Sequence, residues 1–458
     1  MKKRLLALGL GALLLAGSAA TASAASQVDF SGYYRAHFSN LWNRTYDTSE
    51  DRTSDSGFFN RFNMDIGFHA TDEVSVYWRM RAPASYRWGG AAADNNAQTV
   101  FVYGEAKQDW GKVSIGRLAA KFYFTGLANL GWQPMGADGS AIITLMNPFN
   151  ISDDEHDGIR YANRWDNFQL VAQFSRLASE TPDVTNEDSK SSDFYLLEGA
   201  YFWDGGGASL GFHYLNHNTN TANATNNTAN ATNRNAALKA FYLNPAVSHR
   251  WDSGFGLHFE GKAGWGKDDM SKYEARAEKL RGYGFYLDLD YNYGPGNVNL
   301  AGWWTSGDDG TDPDKRKDFV GMGRNFKPLL IAYGRTAGHR LTGTRGGVVR
   351  EASGSFAGLN FDGGDVSNHW VIDLNGNHKL AKDITMTYAL AYLSLTKAAE
   401  GQKKDLGWEA DLSFQIQLLD NLKLGTSFGY FAPGDALKVG DDSAAATYAW
   451  FNTLTFSF

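Results

Sequence analysis

The sequence predicts an all-β protein, a transmembrane antiparallel β-barrel of about 18 strands, with roughly 16–20 as the range around that number. Three observations support this fold class. Apolar and polar residues alternate with a period of two along most of the chain. Short turn-forming connections alternate with long polar ones. One face of nearly every predicted strand is apolar while the other is polar, as in a barrel with lipid outside and water inside.

The first 24 residues are predicted to be a cleaved secretory signal peptide. Lys2, Lys3 and Arg4 precede a short apolar run, and the small residues of 22–24 fit a cleavage site. Residues 25–458 are predicted to form a single barrel domain. Without the three basic residues of the leader, its formal charge is 40 − 50 = −10. The protein is therefore expected to leave the cytoplasm.

The composition excludes several function classes. The chain has no Cys, so it has no disulfide framework, thiolate metal site or cysteine nucleophile. The acidic balance argues against a nucleic-acid partner. Mean hydropathy is −0.40, and no second apolar run reaches the roughly 18–20 residues of a spanning helix, so a helical bundle is excluded.

The alternation assigns residues to two faces of each predicted strand. In the first strand Phe30 and Tyr34 share the apolar face, and Asp29 and Arg35 share the polar face. In hydrocarbon every backbone polar group must be paired, which a closed barrel achieves, so the apolar face is the outer one. Strands are predicted to start near residues 28, 58, 74, 99, 112, 158, 168, 194, 208, 236, 255, 281, 297, 368, 384, 405, 422 and 446.

The connections between these strands come in two kinds. Short turns are predicted at 71–73, 108–111, 164–167, 204–207, 252–254, 294–296, 380–383 and 418–421. Long polar stretches are predicted at 39–57, 83–98, 119–156, 176–192, 216–235, 266–280 and 306–367. Tight periplasmic turns and long extracellular loops are typical of a transmembrane barrel. A soluble propeller or sandwich is the alternative fold, and it would need two apolar faces to meet.

The alternation does not fix the local structure at two places in the chain. Pro245 lies within the tenth predicted strand, and because proline donates no ladder hydrogen bond, a bulge or a strand end is expected there. The long stretch 306–367 has room for another hairpin, for example near Phe326–Tyr333.

The final strand carries a resemblance to bacterial outer-membrane barrels. Apolar, mostly aromatic residues alternate up to the last residue of the chain: Tyr448, Trp450, Leu454, Phe456 and Phe458. This strand resembles the C-terminal signature that the barrel-insertion machinery recognises. The resemblance implies that this machinery is a partner.

Other segments resemble the bacterial outer-membrane porin superfamily. The segment from Tyr103 to Arg117 resembles the porin hairpin that ends in a Gly-Arg step, and 157–161 resembles the next descending strand. Residues 28–33 resemble the opening strand of sugar-selective porins. The resemblance implies the outer membrane of a Gram-negative bacterium, contacts with lipid and lipopolysaccharide, a homotrimer, and a constriction loop, 119–156, that folds into the lumen.

Charged residues on the polar faces are the candidate pore residues. The predicted basic wall is Arg35, Arg61, Arg79, Arg81, Lys107 and Arg160. The predicted acidic wall is Asp65, Glu105, Glu198, Glu260, Asp288, Asp290, Asp373, Glu409 and Asp411, with Lys239 and Lys262 among them. The constriction loop and its flank add Asp153, Asp154, Glu155 and Asp157, which are expected to face the arginines. A low-dielectric wall focuses such a transverse field.

Arg79 and Arg81 are two residues apart on one face and repel each other unless an anion lies between them, which favours an anion-contacting ladder. The alternative is that the charges only pair along the wall. Inward aromatics form a further hypothesis, a stacking track for sugars, built from Tyr33, Tyr77, Tyr103, Phe194 and Trp303.

Catalytic, metal and cofactor sites are not predicted. His37, His213 and His258 are candidates for the polar face, but no Ser/His/carboxylate spacing stands out. The acidic runs 153–157 and 308–314 are oxygen-rich, but they do not fit a Ca²⁺ loop with its distal Glu. Solvated acidic loops are the simpler interpretation of both runs.

These observations predict a passive, water-filled outer-membrane channel for small hydrophilic solutes and ions, and not an enzyme. No plug-sized domain is expected before the first strand and no peptidoglycan-binding tail after the last. Three alternatives remain. The first is a channel selective for a sugar, an organic anion or an alginate-type polysaccharide, the second is a sheath around an outer-membrane cytochrome, and the third is a barrel hydrolase.

Overall fold

The computed structural model describes residues 26–42, 54–87, 98–119, 155–178, 192–220, 235–268, 278–307, 315–317, 329–331, 368–398, 401, 403–437 and 445–458. The strands are β1 Gln27–Trp42, β2 Ser54–His69, β3 Val74–Arg87, β4 Gln98–Gln108, β5 Gly111–Ala119, β6 Glu155–Trp165, β7 Phe168–Ala178, β8 Ser192–Trp203, β9 Gly206–Asn220, β10 Asn235–Arg250, β11 Phe255–Asp268, β12 Glu278–Asn292, β13 Gly296–Thr305, β14 Lys315–Arg316, β15 His369–Ala381, β16 Ile384–Leu395, β17 Asp405–Leu419, β18 Leu422–Pro433 and β19 Thr447–Ser457. A single 3-10 turn covers Asp435–Leu437.

The strands form one closed antiparallel barrel of 18 strands, because β1 pairs with both β2 and β19. Each barrel strand pairs with its neighbours in sequence, and β13 pairs with β15. The two-residue β14 stands outside this ring and pairs in parallel with β12. At the seam, Gly32 and Phe458 exchange two backbone hydrogen bonds of 2.9 and 3.1 Å. Among the described residues, closure gives each barrel strand a partner on both sides.

The short connections lie where the turn residues predict them. Eight turns of two to four residues join β2–β3, β4–β5, β6–β7, β8–β9, β10–β11, β12–β13, β15–β16 and β17–β18. The first and the last described strand residues lie at this same end of the barrel, since residue 27 pairs with residue 69 and residue 457 bonds to residue 421. All predicted strand starts fall within about four residues of the observed ones.

The apolar faces point outward as predicted. Phe30, Ile159, Tyr201, Phe212 and Tyr283 are among the exposed large side chains. The alternate residues of the same strands form the inner wall. Among the described residues, no helix has the length and apolar character needed to cross a bilayer.

The expected bulge at Pro245 is wrong. Strand β10 runs through this proline, and its register with β9 is continuous from Asn244 to Ala246. The amide of Asn244 donates to the carbonyl of Gly261 at 2.8 Å. The β10–β11 pairs are interrupted at Asn244 and Pro245 without a shift of register, since Leu243 pairs with Ala263 and Ala246 with Glu260. Gly261 lies in this interruption, so the Asn244 side chain supplies the donor that proline lacks.

The stretch 306–367 is described only at 306–307, 315–317 and 329–331. Its middle contains β14 and a bend at 329–331, which is not part of a strand. The remainder of the suggested hairpin near Phe326–Tyr333 lies outside the described residues.

Candidate functional site

The inner wall of the barrel divides into two sectors of opposite charge. We define the arginine sector as the inward faces of β1–β6, which carry Arg35, Arg61, Arg79, Arg81 and Arg160. We define the carboxylate sector as the inward faces of β8–β18, which carry Glu198, Glu260, Asp288, Asp290, Asp373, Glu409 and Asp411. Strand alternation places each of these residues opposite the outward apolar side chains.

The centre of the arginine sector is a fork between Arg79 and Asp65. The guanidinium donates through Nε and Nη2 to the two carboxylate oxygens at 2.5 and 2.6 Å. Both side chains remain about one third exposed, at 35% and 33%. Arg81 lies beside this pair and donates from Nε to the Asn63 amide oxygen at 3.2 Å. The repulsion expected between Arg79 and Arg81 is therefore relieved by a carboxylate and an amide of the neighbouring strand.

Irregular pairing surrounds these arginines. The β2–β3 register shifts between Asn60 and Phe62, and the β3–β4 register shifts between Arg79 and Met80. Such bulges bend a strand and redirect its side chains. The position of the fork is therefore set by the sheet as well as by the alternation.

The sector extends to both sides of the fork. Arg35 and Arg61 are direct partners across β1 and β2, and the guanidinium of Arg35 lies 5.0 Å from the centre of the Tyr33 ring. On β6, Arg160 donates to Gln173 at 2.9 Å. Because all these groups are polar and half-buried, this part of the wall presents hydrogen-bond donors to the lumen.

Two predicted residues lie nearer to the short-turn end. Glu105 forms a 3.2 Å ion pair with Lys112, a lysine that the sequence reasoning missed although it lies on the inward face of β5. Lys107 is exposed and immediately precedes Gln108 and the β4–β5 turn. It shares a strand face with Glu105, but it lies two residues closer to the rim.

The acidic residues expected opposite the arginines are only partly described. Asp153 and Asp154 and nearly all of loop 119–156 lie outside the described residues. Glu155 begins β6, but its side chain also lies outside them. Asp157 is not on the inward face, because it alternates with exposed Ile159 on the outer face and pairs in register with Arg117 and Arg176.

The carboxylate sector differs from the arginine sector because its acids are buried. Asp290 is 2% exposed in its 2.7 Å ion pair with Arg250. Tyr286 donates to Asp288 at 3.1 Å, and Asn244 donates to Glu260 at 3.1 Å. Lys262 is buried in the same region, whereas Lys239 is on the outer face, so its predicted inward position is wrong. Burial makes these acids structural partners within the wall.

A short segment of the chain, 329–331, lies against the inner wall of this sector. The backbone N–H groups of Leu330 and Ile331 donate to Asp411 at 3.0 Å and to Glu409 at 2.6 Å. The same segment, 329–331, packs in a buried cluster of inward side chains that includes Trp303 and Phe431. The inward segment that the structure describes therefore belongs to the β13–β15 connection.

The five aromatic residues proposed as a sugar track do not form one surface. Phe194 and Trp303 are buried, at 1% and 2% exposure. Tyr77 and Tyr103 lie next to each other, with ring centroids 5.2 Å apart. The structure therefore brings together a pair of tyrosines in the arginine sector, and this pair does not continue to the other side of the barrel.

A serine, a histidine and a glutamate also meet in the wall. Ser248 Oγ lies 2.6 Å from His258 Nδ1, and His258 Nε2 lies 4.0 Å from Glu260. The second distance is too long for a hydrogen bond. All three side chains are buried, with at most 3% exposure, so a substrate cannot reach the serine. His213 is also buried on the inner face, and the side chain of His37 lies outside the described residues.

Within the ranges that the structure describes, no group of three or more His, Asp or Glu side chains is arranged to hold a metal ion.

The five residues of the C-terminal signature all point outward and are exposed. Phe458 stacks on Phe62 across the seam, with centroids 5.8 Å apart.

The sequence matches the family model of Gram-negative porins over residues 11–449, nearly its whole length. The chain belongs to the Gram-negative porin family. Family and fold together indicate a channel in the outer membrane.

Solved structures agree with this fold. OpdK from Pseudomonas aeruginosa matches with a TM-score of 0.54 and 11% identity, over 94% of this porin and 99% of that chain. OccK5 (OpdH) from the same organism matches with a TM-score of 0.54 and 10% identity, over 94% and 98%. OccK11 (OpdR) matches with a TM-score of 0.53 and 11% identity, over 94% and 96%. No curated protein matches this porin.

Proposed function

We propose that this porin is a passive, water-filled channel for small hydrophilic solutes and ions, and that its arginine sector makes it prefer small anions. One observation supports this preference above the others. The guanidinium groups of the arginine sector lie on a half-exposed face, whereas the opposing carboxylates are buried against other protein groups. Charges in contact with the lumen can bind a permeating ion directly, whereas each buried carboxylate contacts other protein groups instead.

The physical basis is the field inside a narrow, low-dielectric tube. Several like charges on one sector raise the local concentration of counter-ions. Asp65 offsets part of the charge of Arg79, but Arg35, Arg61, Arg81 and Arg160 add four further cations to the same wall. The planar fork of arginine also matches a carboxylate, which favours organic anions over sugars among the selective alternatives.

One neighbouring structure is consistent with this class. OpdK was solved with vanillate, and that structure matches this porin with a TM-score of 0.52 and 10% identity. This similarity concerns the fold alone. The proposal for an organic anion therefore depends on the arginine sector of this chain.

The test is the reversal potential of the purified mature protein in a planar bilayer under a KCl gradient. The wild type is expected to show stable conductance steps and a chloride preference. Arg79→Ala/Arg81→Ala is expected to shift the reversal potential toward potassium. Arg117→Ala removes one charge from the outer face and is the control, with no shift expected. An unchanged potential in the double variant would contradict the anion preference.

A second measurement separates the alternatives. Liposome swelling with vanillate and with a neutral sugar of similar size compares the two solute classes directly. Equal entry rates would support general diffusion instead of anion selectivity. Correctly folded protein without any conductance would overturn the channel and favour the cytochrome sheath.

Three interactions stay predictions. They are the homotrimer, contact with lipopolysaccharide, and recognition of the C-terminal signature by the insertion machinery. The outward exposure of Tyr448 and Trp450 is compatible with recognition before the barrel closes. The mass of the detergent-solubilised protein tests the trimer.

A further inference from the structure

A chain of three polar side chains crosses the inner wall at the short-turn end, which is the periplasmic end of outer-membrane barrels. His69 Nε2 lies 3.0 Å from a carboxylate oxygen of Asp29, and His69 Nδ1 lies 2.8 Å from Ser75 Oγ. The three residues come from β1, β2 and β3. They face the lumen, because strand neighbours such as Phe68 and Val76 are exposed on the outer face.

The strand register explains why these side chains meet. His69 is the direct partner of Ser75 across β2 and β3, and Asp29 is the direct partner of Gly67 across β1 and β2. The His69 ring lies over Gly67, where an added Cβ would be 3.1 Å from Nε2. Because position 67 has no side chain, the ring can reach along the wall to the carboxylate. Gln27 donates to the other oxygen of Asp29 at 2.7 Å.

These hydrogen bonds fit both charge states of the imidazole ring. An ionised carboxylate only accepts hydrogen bonds, so Nε2 carries the hydrogen that faces Asp29, and Nδ1 of the neutral ring accepts from the Ser75 hydroxyl. When the ring takes up a proton, Nδ1 donates to Ser75 instead, and the hydroxyl hydrogen turns to another acceptor. Glu105 lies opposite Ser75 in the β3–β4 register and offers a carboxylate on the same face. Protonation of His69 therefore needs only a reversal of one hydrogen bond.

A serine, a histidine and an aspartate in line also form the triad of many hydrolases, but this chain differs from such a triad. Ser75 is 8% exposed, and its backbone is paired on both sides, with His69 and Glu105. Neither its hydroxyl nor its own N–H is therefore open to a substrate carbonyl. The side chains of Asp29 and His69 are the more exposed members, at 56% and 28%. The site therefore presents a charge to the lumen, and not a nucleophile.

The charge of this site varies with protonation, whereas its neighbours are paired. Glu105 forms its ion pair with Lys112 on the next strand. The Arg79–Asp65 fork lies four residues further along β3 from Ser75, or about 14 Å. With neutral His69, Asp29 carries one negative charge at the mouth, and protonation of the ring cancels it. The other titratable groups around the site are Tyr77 on β3, Tyr103 and Lys107 on β4, and Asp72 and Glu73 in the β2–β3 turn.

We propose that Asp29 and His69 form a second, protonation-dependent charge filter at the periplasmic mouth, which makes the channel admit anions more readily as the pH falls. Histidine changes its charge between about pH 5 and 8. Above this range, the negative charge of Asp29 lowers the concentration of anions at the mouth, before they reach the arginine sector. Below it, the ion pair is neutral and this barrier is lost. The inference rests on the proposed function, because a filter at the mouth acts only on ions that pass through the lumen.

The test measures the reversal potential of the full mature barrel in a planar bilayer under a KCl gradient, at about pH 8 and about pH 5, which bracket the titration of histidine. The wild-type preference for chloride over potassium is expected to rise by about twofold at the lower pH in 0.1 M salt, since one charge at the mouth is cancelled. His69→Gln keeps a polar side chain but cannot take up a proton, so its response to pH should be clearly smaller. His249→Gln/His378→Gln changes two histidines on the outer face at the same end, and this control should keep the wild-type response.

A second variant tests the carboxylate. Asp29→Asn removes the negative charge permanently, so at the higher pH it should already show the chloride preference that the wild type reaches at the lower pH. If His69→Gln does not fold, Asp29→Asn decides the question alone.

Three results would overturn the filter. These are an unchanged pH response in His69→Gln, an equal loss of the response in the control, and a wild-type reversal potential of Asp29→Asn at the higher pH. Failure of the anion preference itself appears separately, as an unchanged potential of Arg79→Ala/Arg81→Ala at one fixed pH. Folded protein without conductance would overturn both proposals.

Discussion

The arginine and carboxylate sectors are built by the same strand alternation, yet they differ in what covers them. In the arginine sector, the Arg79–Asp65 fork keeps about one third of each side chain exposed. In the carboxylate sector, Glu409 is fully buried, and the segment 329–331 lies against it. An inward charge on a barrel strand is therefore not automatically a charge on the pore. In the function proposed above the arginine sector sets ion selectivity, whereas the carboxylate sector binds an inward segment of the chain.

The largest expected effect comes from removing the acceptors of that inward segment. Glu409→Ala/Asp411→Ala leaves the N–H groups of Ile331 and Leu330 without their carboxylate partners. Hydrogen bonds to charged groups contribute about 1.5–3 kcal/mol each, so the segment loses roughly 3–6 kcal/mol of anchoring. Single-channel conductance is expected to rise and become noisier as the segment leaves the wall. Ser413→Ala, on the same face of β17, is the control. Wild-type conductance in the double variant would contradict the role of Glu409 and Asp411 in holding the segment.

A smaller effect is expected from breaking the buried ion pair of the carboxylate sector. Asp290→Asn keeps the size of the side chain but removes the charge that faces Arg250 at 2.7 Å. We expect a loss of about 2 kcal/mol in the free energy of unfolding, because Arg250 is partly exposed and water offsets some of the lost attraction. The unfolding midpoint in denaturant measures this loss. The reversal potential should stay at the wild-type value, and a clear shift would show that the carboxylate sector does face the permeating ions.

The smallest effect is expected from removing the carboxylate of the arginine sector. Asp65→Asn leaves Arg79 without its compensating carboxylate on the half-exposed wall. The chloride preference is expected to increase by about twofold at 0.1 M salt and to shrink at 1 M, where screening is stronger. The shift has the opposite sign to that of Arg79→Ala/Arg81→Ala. A shift toward potassium would mean that the fork does not act on the permeating ion.

Much of the fold was predictable because it depends on local patterns. Turn residues such as Thr71, Asn167 and Gly254 mark the short connections, and period-two alternation marks the strands between them. The positions of Arg79 and Arg81 on the polar face followed from the same pattern. The inward position predicted for Lys239 is wrong, because this residue alternates with buried Ala240 and shares the outer face of β10 with Phe241. A lysine is tolerated on that face because it lies near the long-loop end of the strand.

Other features could not be predicted from the sequence, because they depend on contacts between residues that are distant along the chain. Leu330 and Asp411 are 81 residues apart in sequence, and the bond between them needs the closed barrel around it. Lys239, Lys267 and Lys279 become neighbours on the outer face only through the registers of three strands, each set by pairing across the sheet. Pro245 interrupts the pairs with β11 without shifting the register, and the Asn244 side chain bonds to the Gly261 carbonyl in that interruption.

The sequence by itself determined that this chain forms a porin barrel, which residues face lipid, and which end carries the long connections. These properties follow from alternation and turn chemistry, which act between near neighbours. Only the tertiary structure decided which inward charges are exposed and which are buried, and which outward charges become neighbours. Burial and register depend on barrel closure and on the segment 329–331 that lies against the inner wall, and both join residues that are distant along the chain.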